Sequence, residues 1–426
     1  MIDLFNSLNG IFSRIPLDFC DKSGKFLLNS SEMRDICLMI PGWAEIIHKG
    51  LKHNELETFR TLRHVFRTLW VYFAILRDDY QVDVKSNNLK SLKDTLENIN
   101  ELHPDMFPLL LLFHDIGRPF NREWHTYESA KIIKENKLLK HFSISPTQEK
   151  ILKVSIKFHL LPGTIFTGES SYCGALSLLL DEDLNDICLF SSKINLLFSI
   201  LMAFSLIDIW GYDYGKIYDH YFSYYSQIKS NLSKIFIKNA LKAPSERFAA
   251  FHEDLFKLDE QNLKWRISCA SRIFQFIETQ NYLTKDFFYD KIDEALASIN
   301  LDWNEFKDSL GKVHAIIQFK YALPIMMILA SGSFKREPLD PKERIQTRIF
   351  NFWKICGEIV KKVDKKSLKV KNNDIVLWNF IFEFSRGSIF KPSFFNYIFS
   401  DEFFNTLQGQ IPRFDSELNN YLINIK

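Results

Sequence analysis

The spacing of apolar residues is the feature that most limits what this chain can fold into. Along almost the whole 426-residue sequence, apolar residues recur three and four positions apart, and short alternating runs bounded by turn residues are few. Spacings of three and four place side chains on one face of an α-helix, whereas a half-buried strand requires alternation. The sequence therefore predicts a mainly α-helical fold, with a helical core followed by a further helical C-terminal region.

The composition fits an ordinary globular chain without a general affinity for polyanions. The 54 Lys and Arg residues nearly balance the 52 Asp and Glu residues, and 46% of the residues are hydrophobic, which is enough to form a core. The N-terminus lacks the features of a signal peptide. The six cysteines form no CxxC pair, so the sequence predicts a reducing compartment, the cytoplasm.

Two apolar segments, 196–210 and 315–330, approach the hydropathy of membrane spans. The first contains Asp208, and the second contains Lys320 and Pro324. Both segments fall short of the roughly 20 uninterrupted apolar residues that a bilayer requires. We therefore expect two buried helices and no association with a membrane.

Four helices can be delimited by their own sequence signals. One begins at a capping box formed by Ser145 and Gln148 and is predicted to end at Pro162-Gly163. Another begins near Asp105 and is predicted to end at Gly117, with His114 and Asp115 in its last turn. The remaining two helices are predicted over residues 55–76 and 194–210, the first with both of its faces packed.

Polar residues occur on the inward faces of these predicted helices. Asp115 and Asp208 each lie at the end of a strongly apolar run, while His64 and His159 project inward. An ionised carboxylate on an apolar face costs several kcal/mol unless it is paired or bound to a cation. Imidazoles combined with carboxylates suit divalent ions such as Mn, Fe, Mg, Co or Zn. The pattern therefore predicts a metal site inside the helical core.

A single inward histidine is more often a hydrogen-bonded core residue than a metal ligand. Seven histidines share no order or spacing that would place them at a common site, and we interpret them as core residues: His48, His53, His103, His141, His220, His252 and His314. Six other residues are predicted as metal ligands because their order, spacing and helical placement all indicate one site: His64, His114, Asp115, His125, His159 and Asp208.

The order of these six residues resembles that in the HD superfamily of metal-dependent phosphohydrolases. His64 precedes the His114-Asp115 doublet in FHDIGRP, which is followed by His125 in WHTYESA, by His159 in IKFHLLPG and by Asp208. The resemblance covers roughly residues 39–225. Arg118 stands where the family usually has lysine after HDIG, so the positive charge is kept while the donor geometry differs.

The resemblance implies a helical core that holds one or two divalent ions. His64, His114, Asp115 and Asp208 match the basic site, with Asp115 as a bridging carboxylate, and His125 and His159 match the pair that commonly holds a second ion. On this basis the chain divides into an N-terminal helical extension (1–40), an HD-type phosphohydrolase domain (41–225) and a helical C-terminal domain of unknown role (226–426).

The implied activity is hydrolysis of a phosphomonoester or phosphodiester in a nucleotide or a related phosphorylated small molecule. Divalent ions lower the pKa of a bound water and polarise phosphoryl oxygens. Asp115 and Arg118 are the predicted catalytic residues, the first as a proton acceptor and the second as the group that neutralises charge on the phosphate. Arg67, Arg118 and Lys157 are predicted to bind the substrate, with surface ion pairing as the alternative role.

Two other functions remain open for the same residues. One is a module that senses a nucleotide without hydrolysing it, and the other is a di-iron oxygenase of the same superfamily. A local excess of charge between Lys335 and Lys371, with 12 Lys or Arg against five acidic residues, raises the hypothesis of a nucleic-acid partner. A solvated helix face is the alternative explanation of that excess. Assembly into an oligomer is also compatible with the sequence.

Overall fold

The computed structural model describes residues 3–80, 82, 84–187, 191–212, 215, 217–273, 285–310, 317–320, 322–331, 345–363, 378–384, 391–415 and 420–425. The chain forms two compact units, residues 1–162 with 178–247 and residues 163–177 with 248–426. Most described residues are helical, which confirms the mainly α-helical fold. Residues 1–40 and 226–247 thus belong to the first unit, together with most of the predicted domain 41–225.

The first unit is built from helices alone among its described residues. They are α1 (Leu4–Phe12), α2 (Leu17–Cys20), α3 (Gly24–Leu28), α4 (Ser31–Met39), α5 (Trp43–Leu76), α6 (Ser86–Leu102), α7 (Met106–Phe113), α8 (His125–Glu135), a 3₁₀ helix (Leu138–His141), α9 (Pro146–Phe158), α11 (Glu182–Ile187), α12 (Ser191–Trp210) and α13 (Asp219–Ala240). Three further helices each contain residues of both units: α10 (Leu161–Phe166), a 3₁₀ helix (Tyr172–Leu180) and α14 (Pro244–Ile267).

The apolar run before the His-Asp doublet forms the centre of the first unit. Every residue of α7 is buried, and α7 packs against α5, α6 and α9. A helix that is apolar on all sides is stable when other helices surround it. The end of α7, where the doublet begins, is therefore fixed by its neighbours.

A kink divides α5, the helix that carries the first predicted ligand. Asn54 has non-helical dihedral angles (φ −154°, ψ 91°), and its side-chain oxygen accepts a hydrogen bond of 3.1 Å from the backbone N–H of Glu57. This is the bond that an N-cap residue makes, so the helix restarts at Glu55 as predicted. Both faces beyond the kink are buried, although Leu56 in the first turn is 59% exposed.

Two predicted helix ends differ from those in the structure. The predicted capping box of α9 is present, but α9 ends at Phe158 and α10 begins at Leu161. Proline is favourable in the first turn of a helix because the backbone N–H that it lacks would have no acceptor within the helix there, so Pro162 lies at the start of α10. Similarly, α7 ends at Phe113, and His114 caps it instead of lying in its last turn.

The helix α12 contains the predicted helix 194–210. By length and composition, its residues Ser192–Trp210 could cross a membrane, but about 56% of that window is buried. It packs against α5, α6, α9 and α13. These contacts are typical of the core helix of a folded unit, in agreement with the expected buried helix.

The second unit combines helices with a small sheet that the sequence analysis did not predict. Its further elements are α15 (Lys285–Ala297), α16 (Trp303–Leu310), β1 (Ile317–Lys320), α17 (Ala322–Ser331), α18 (Ile345–Lys361), β2 (Trp378–Glu383), α19 (Pro392–Phe399), α20 (Asp401–Gly409), β3 (Arg413–Asp415) and β4 (Asn420–Asn424). The strand order is β1-β2-β4-β3, with β1, β2 and β4 parallel and β3 antiparallel to β4.

Phenylalanines of the second unit form much of its core. Phe319 of β1 and Phe380 and Phe382 of β2 are buried, and Phe352 of α18 packs against Phe382. The basic segment 335–371 is described only over residues 345–363. The other residues of the nucleic-acid hypothesis lie outside the described residues.

Candidate metal centre

The structure brings the six candidate ligands together in the first unit. Among the described residues they form two groups, within each of which one donor atom per residue lies within 4.8 Å of the others: His64, His114 and Asp208, and Asp115, His125 and His159. The consecutive residues His114 and Asp115 connect the groups, with 3.7 Å between Nε2 of His114 and Oδ2 of Asp115.

The packing of four helices explains this convergence. His64 lies on α5 and Asp208 in the last turn of α12, while His114 caps α7 and His159 caps α9. The helices α5 and α9 each contact both α7 and α12. His125 is the first residue of α8, which packs on α9. Residues that are up to 144 positions apart therefore meet at one place in the core.

Three of the four imidazoles are oriented by the backbone in the same way. Nδ1 of His114, His125 and His159 lies 3.0, 2.9 and 2.8 Å from the carbonyl oxygen three residues earlier. A carbonyl oxygen only accepts, so each Nδ1 must carry the proton and donate. In a neutral ring this leaves the lone pair on Nε2, which is the arrangement of a metal-binding histidine with an oriented ring.

The first group contains a buried nitrogen without a hydrogen-bond partner. His114 is fully buried, and its Nε2 lies 3.5 Å from Oδ1 of Asp208 and 3.7 Å from Oδ2 of Asp115, without a hydrogen bond to either. Burial lowers the pKa of His114, which favours the neutral ring. A lone pair then faces two carboxylates that also only accept. A cation between these atoms would satisfy all three.

Asp208 is held by the other histidine of the first group. Nε2 of His64 lies 2.8 Å from Oδ1 of Asp208. Burial by itself would lower the pKa of His64 and raise that of Asp208, but their mutual attraction outweighs burial, so the pKa of His64 is raised and that of Asp208 is lowered. Nε2 of His64 therefore carries a proton toward Asp208, and a cation bound by both residues would displace that proton.

The second group is centred on Asp115. Its Oδ1 lies 3.1 Å from Nε2 of His125 and 3.9 Å from Nε2 of His159, while its Oδ2 accepts a hydrogen bond of 2.9 Å from Arg118. Burial would raise the pKa of Asp115, but His114, His125 and Arg118 hold it well below its usual value. Burial lowers the pKa of His159 to about 3. Asp115 therefore stays ionised and His159 neutral, which are the forms that bind metals.

Tyr212 is a further neighbour that the sequence analysis missed. Its ring stacks on His64 with 4.2 Å between the centroids, and its hydroxyl oxygen lies 3.4 Å from Nη1 of Arg118. The residue follows Asp208 by four positions, just beyond the end of α12. That position relative to a predicted ligand was the only signal in the sequence.

Two glycines permit the close packing of the site. A Cβ on Gly117 would lie 2.4 Å from the backbone nitrogen of Ser129 and 2.6 Å from the carbonyl oxygen of His125. A Cβ on Gly211 would lie 2.9 Å from Cε1 of His64. Ser129 also accepts from the N–H of Gly117 and donates to the carbonyl of His114. Gly117 was predicted only as the end of a helix, and its main role is to let α8 approach the doublet.

The three cations predicted to bind substrate have different surroundings. Arg118 contacts Asp115 and keeps 19% of its side chain exposed. Arg67 donates to the carbonyl of Gly211 at 3.1 Å and pairs with Asp21. Lys157 pairs with two aspartates, 2.6 Å from Asp181 and 3.6 Å from Asp183. Arg118 thus contacts one of the six candidate ligands directly, whereas Arg67 and Lys157 are paired with other residues.

The donor set fits a divalent cation in either group. Neutral imidazole nitrogens and ionised carboxylates are ligands for Mn, Fe, Co and Zn, and the unpartnered Nε2 of His114 points to the same conclusion. The side chains alone do not select among these ions.

Comparison of the chain with protein-family models, curated proteins and solved structures finds no match.

Proposed function

We propose that this protein is a metal-dependent phosphohydrolase of the HD superfamily, acting on a phosphate ester of a nucleotide or a related small molecule. One observation carries the proposal: the fully buried His114 presents an unpartnered Nε2 to the carboxylates of Asp115 and Asp208. Acceptor atoms that face one another in a core need a cation between them. The order of the six ligands supports the choice of reaction class.

A bound divalent cation would supply the nucleophile by lowering the pKa of a water molecule, and it would polarise the phosphoryl oxygens. One ion would be held by the first group (His64, His114, Asp208), and a second ion by the second group (Asp115, His125, His159). The ligand atoms come from side chains on packed helices, four of them buried and those of His125 and Asp208 half-buried, so the site is organised before a substrate binds.

The protein's own residues divide the remaining tasks. Asp115 is stabilised in its ionised form, so binding the cation is its first role, and it is a weaker proton acceptor than an ordinary carboxylate. Arg118 is fixed by Asp115 but partly exposed, so its free N–H groups can donate to the oxygens of a phosphate.

The cytoplasm remains the proposed location, since the described cysteines form no disulfide bond.

Turnover of a substrate panel tests the proposal. The purified full chain, stripped with EDTA and supplied with Mn²⁺, is assayed on nucleotides, cyclic nucleotides and generic phosphomonoesters and phosphodiesters. We expect hydrolysis of at least one class and a loss of about a hundredfold or more in Asp115→Asn, because several kcal/mol of transition-state stabilisation depends on the ion. The matched control is Asp35→Asn, which changes an exposed aspartate and should retain full activity.

Other outcomes would replace the proposal. Nucleotide binding at one molecule per chain without hydrolysis would identify a sensing module. Bound iron together with substrate-dependent oxygen consumption would identify an oxygenase. A protein that hydrolyses no member of the panel with any divalent metal is not the phosphohydrolase proposed here.

A further inference from the structure

We propose that Glu57 is a positioning residue that holds Arg118 and Arg122 as a pair beside the metal centre, so that two guanidinium groups meet the substrate phosphate. This inference rests on the proposed function and deepens it. Glu57 was not selected from the sequence because it lies two turns before His64, in a stretch with several other acidic and basic residues. Its surroundings in the folded chain distinguish it.

Glu57 is buried although it is acidic and lies in the first turn after the kink in α5. Only 4% of the residue is exposed, and its backbone N–H is bound by the side chain of Asn54. Glutamate is almost never buried to this extent unless it is paired. The capping bond fixes the main chain at this point, so the side chain leaves the helix in a defined direction.

Three arginines surround the Glu57 carboxylate. Oε2 lies 3.4 Å from Nε of Arg118, and Oε1 lies 3.8 Å from Nη1 of Arg122 and 2.5 Å from Nη1 of Arg60. The side chain of Arg60 is 56% exposed, whereas those of Arg118 and Arg122 are 19% and 34% exposed. Arg60 therefore covers the outer side of the carboxylate, and the other two are the more enclosed pair.

Arg118 and Arg122 are each tied to a metal ligand as well as to Glu57. Nη1 of Arg118 donates to Asp115 at 2.9 Å. The backbone carbonyl of Arg122 accepts the hydrogen bond that orients the ring of His125, 2.9 Å from its Nδ1. The guanidinium of Arg118 and the backbone of Arg122 are thus anchored at the second group, and Glu57 is the one carboxylate that contacts both guanidiniums in the described structure.

The two guanidiniums keep part of their surface open to a further ligand, since the side chains of Arg118 and Arg122 are 19% and 34% exposed. Nε of each is buried, and Nε of Arg118 lies 3.4 Å from Oε2 of Glu57 without a hydrogen bond. A guanidinium has five N–H groups, so two of them offer more donors than these carboxylates accept. A phosphate with several negative oxygens is the ligand that such a pair recognises, and charge-assisted bonds of this kind are the strong ones.

The positioning role and a purely electrostatic role predict opposite results. A negative charge near an anion site repels the anion, so removal of the Glu57 charge would strengthen phosphate binding if only its field acted. If Glu57 instead holds the arginines in place, its removal releases both side chains and weakens phosphate binding. The isosteric substitution Glu57→Gln separates the two roles.

The experiment is calorimetric titration of the Mn²⁺-loaded full chain with inorganic phosphate. We expect Glu57→Gln to bind phosphate roughly tenfold more weakly than the wild type, while its Mn²⁺ affinity stays within about twofold. Glu55→Gln is the matched control, since Glu55 lies on the same turn and is exposed, and it should bind phosphate like the wild type. Glu57→Asp keeps the charge on a shorter side chain and should restore part of the loss.

A second arm places Glu57→Gln in an Arg118→Gln/Arg122→Gln background. There the substitution should change the phosphate affinity by less than about twofold, because the groups that it positions are gone. Equal or tighter phosphate binding by Glu57→Gln in the otherwise wild-type chain would overturn the inference and leave the proposed function intact. Absence of metal-dependent phosphate binding in the wild type would instead count against the proposed function itself.

Discussion

Buried aspartates in the two units have opposite surroundings. Asp259 of α14, in the second unit, is 5% exposed and accepts hydrogen bonds from the backbone N–H groups of Tyr172 at 2.7 Å and Cys173 at 2.8 Å. Asp115 and Asp208, in the first unit, face imidazoles, and between them lies a histidine nitrogen without a partner. Burial of a carboxylate is common to both places, and only the partners differ.

The difference separates a structural carboxylate from a candidate ligand. Each oxygen of Asp259 meets a backbone donor, so the residue fixes the segment at Tyr172 and Cys173 without any further group. The oxygens of Asp115 and Asp208 lie near a lone pair on His114, an arrangement that the protein alone does not satisfy. A buried acid therefore indicates a functional site only when the protein atoms around it leave an acceptor unsatisfied.

The largest expected effect is the loss of metal-dependent stabilisation in His114→Ala. At a Mn²⁺ concentration a hundred times the dissociation constant, binding should stabilise the wild type by about 2.7 kcal/mol. The variant removes the nitrogen between the carboxylates and should show almost no rise in melting temperature on addition of Mn²⁺. Asp259→Asn is the control from the other unit, and it should keep the full response to Mn²⁺ even if the protein melts earlier.

The pH dependence of stability should show an effect at Asp259. Burial raises the pKa of Asp259 to about 6, against 3.8 for an unperturbed aspartate, although its two backbone bonds and Arg266 oppose the rise. The folded state therefore binds the proton more tightly than the unfolded chain, and this contribution to stability is lost as the pH rises from about 4 through about 6. The loss is on the order of 2–3 kcal/mol.

Urea unfolding of the wild type and Asp259→Asn at several pH values measures this contribution. The stability difference between the two proteins should change between pH 4 and pH 7 and be constant above about pH 7. A difference that does not vary with pH would contradict the account of Asp259.

An intermediate effect is expected from Gly117→Ala. The added Cβ would collide with backbone atoms of Ser129 and His125, and backbone cannot move aside as a flexible side chain can. The start of α8 must therefore shift, and His125 should move away from Asp115. We expect a loss of about tenfold or more in metal affinity at the second group, measured by calorimetry.

Gly10→Ala is the matched control for this substitution. A Cβ on Gly10 meets no atom within 4 Å, and the residue lies in α1. Alanine there should leave metal affinity unchanged and raise stability slightly, because alanine is the better helix former. If Gly117→Ala binds metal as tightly as Gly10→Ala does, the close approach of α8 is not required for the second group.

The smallest effect is expected at Lys157. This cation is paired with Asp181 and Asp183, so Lys157→Gln should change phosphate affinity by less than about threefold. Arg118→Gln should weaken phosphate binding by about tenfold or more, since its guanidinium adjoins the candidate metal site. Equal losses in the two variants would show that Lys157 leaves its aspartates to bind the substrate.

Most candidate ligands could be predicted from the sequence because they are polar exceptions in apolar helices, whereas His125 was predicted through the resemblance in residue order. Asp115 and Asp208 interrupt buried runs, and a buried charge needs a partner wherever the chain places it. Their neighbours could not be found in that way. Tyr212, Ser129 and Glu57 reach the site through tertiary packing, and their local sequence resembles that of ordinary surface residues.

The fold could likewise be predicted only where its signals are local. The capping residues Ser145 and Gln148 fixed one helix start, because both bonds of the capping box are local. The strand β2 pairs with β4 about 40 residues further along the chain, and β1 is only four residues long. Such short apolar segments have no periodicity that separates strand from buried helix, so the sheet could not be derived from local signals.

A direct metal titration tests best whether His114 and the five other candidate ligands form a divalent metal centre. The EDTA-treated full chain is titrated with Mn²⁺ in a calorimeter. We expect saturable binding of one or two Mn²⁺ ions per chain, and we expect His114→Ala to lose that binding while it keeps its fold. Absence of saturable binding by the wild type, or undiminished binding by His114→Ala, would contradict the claim.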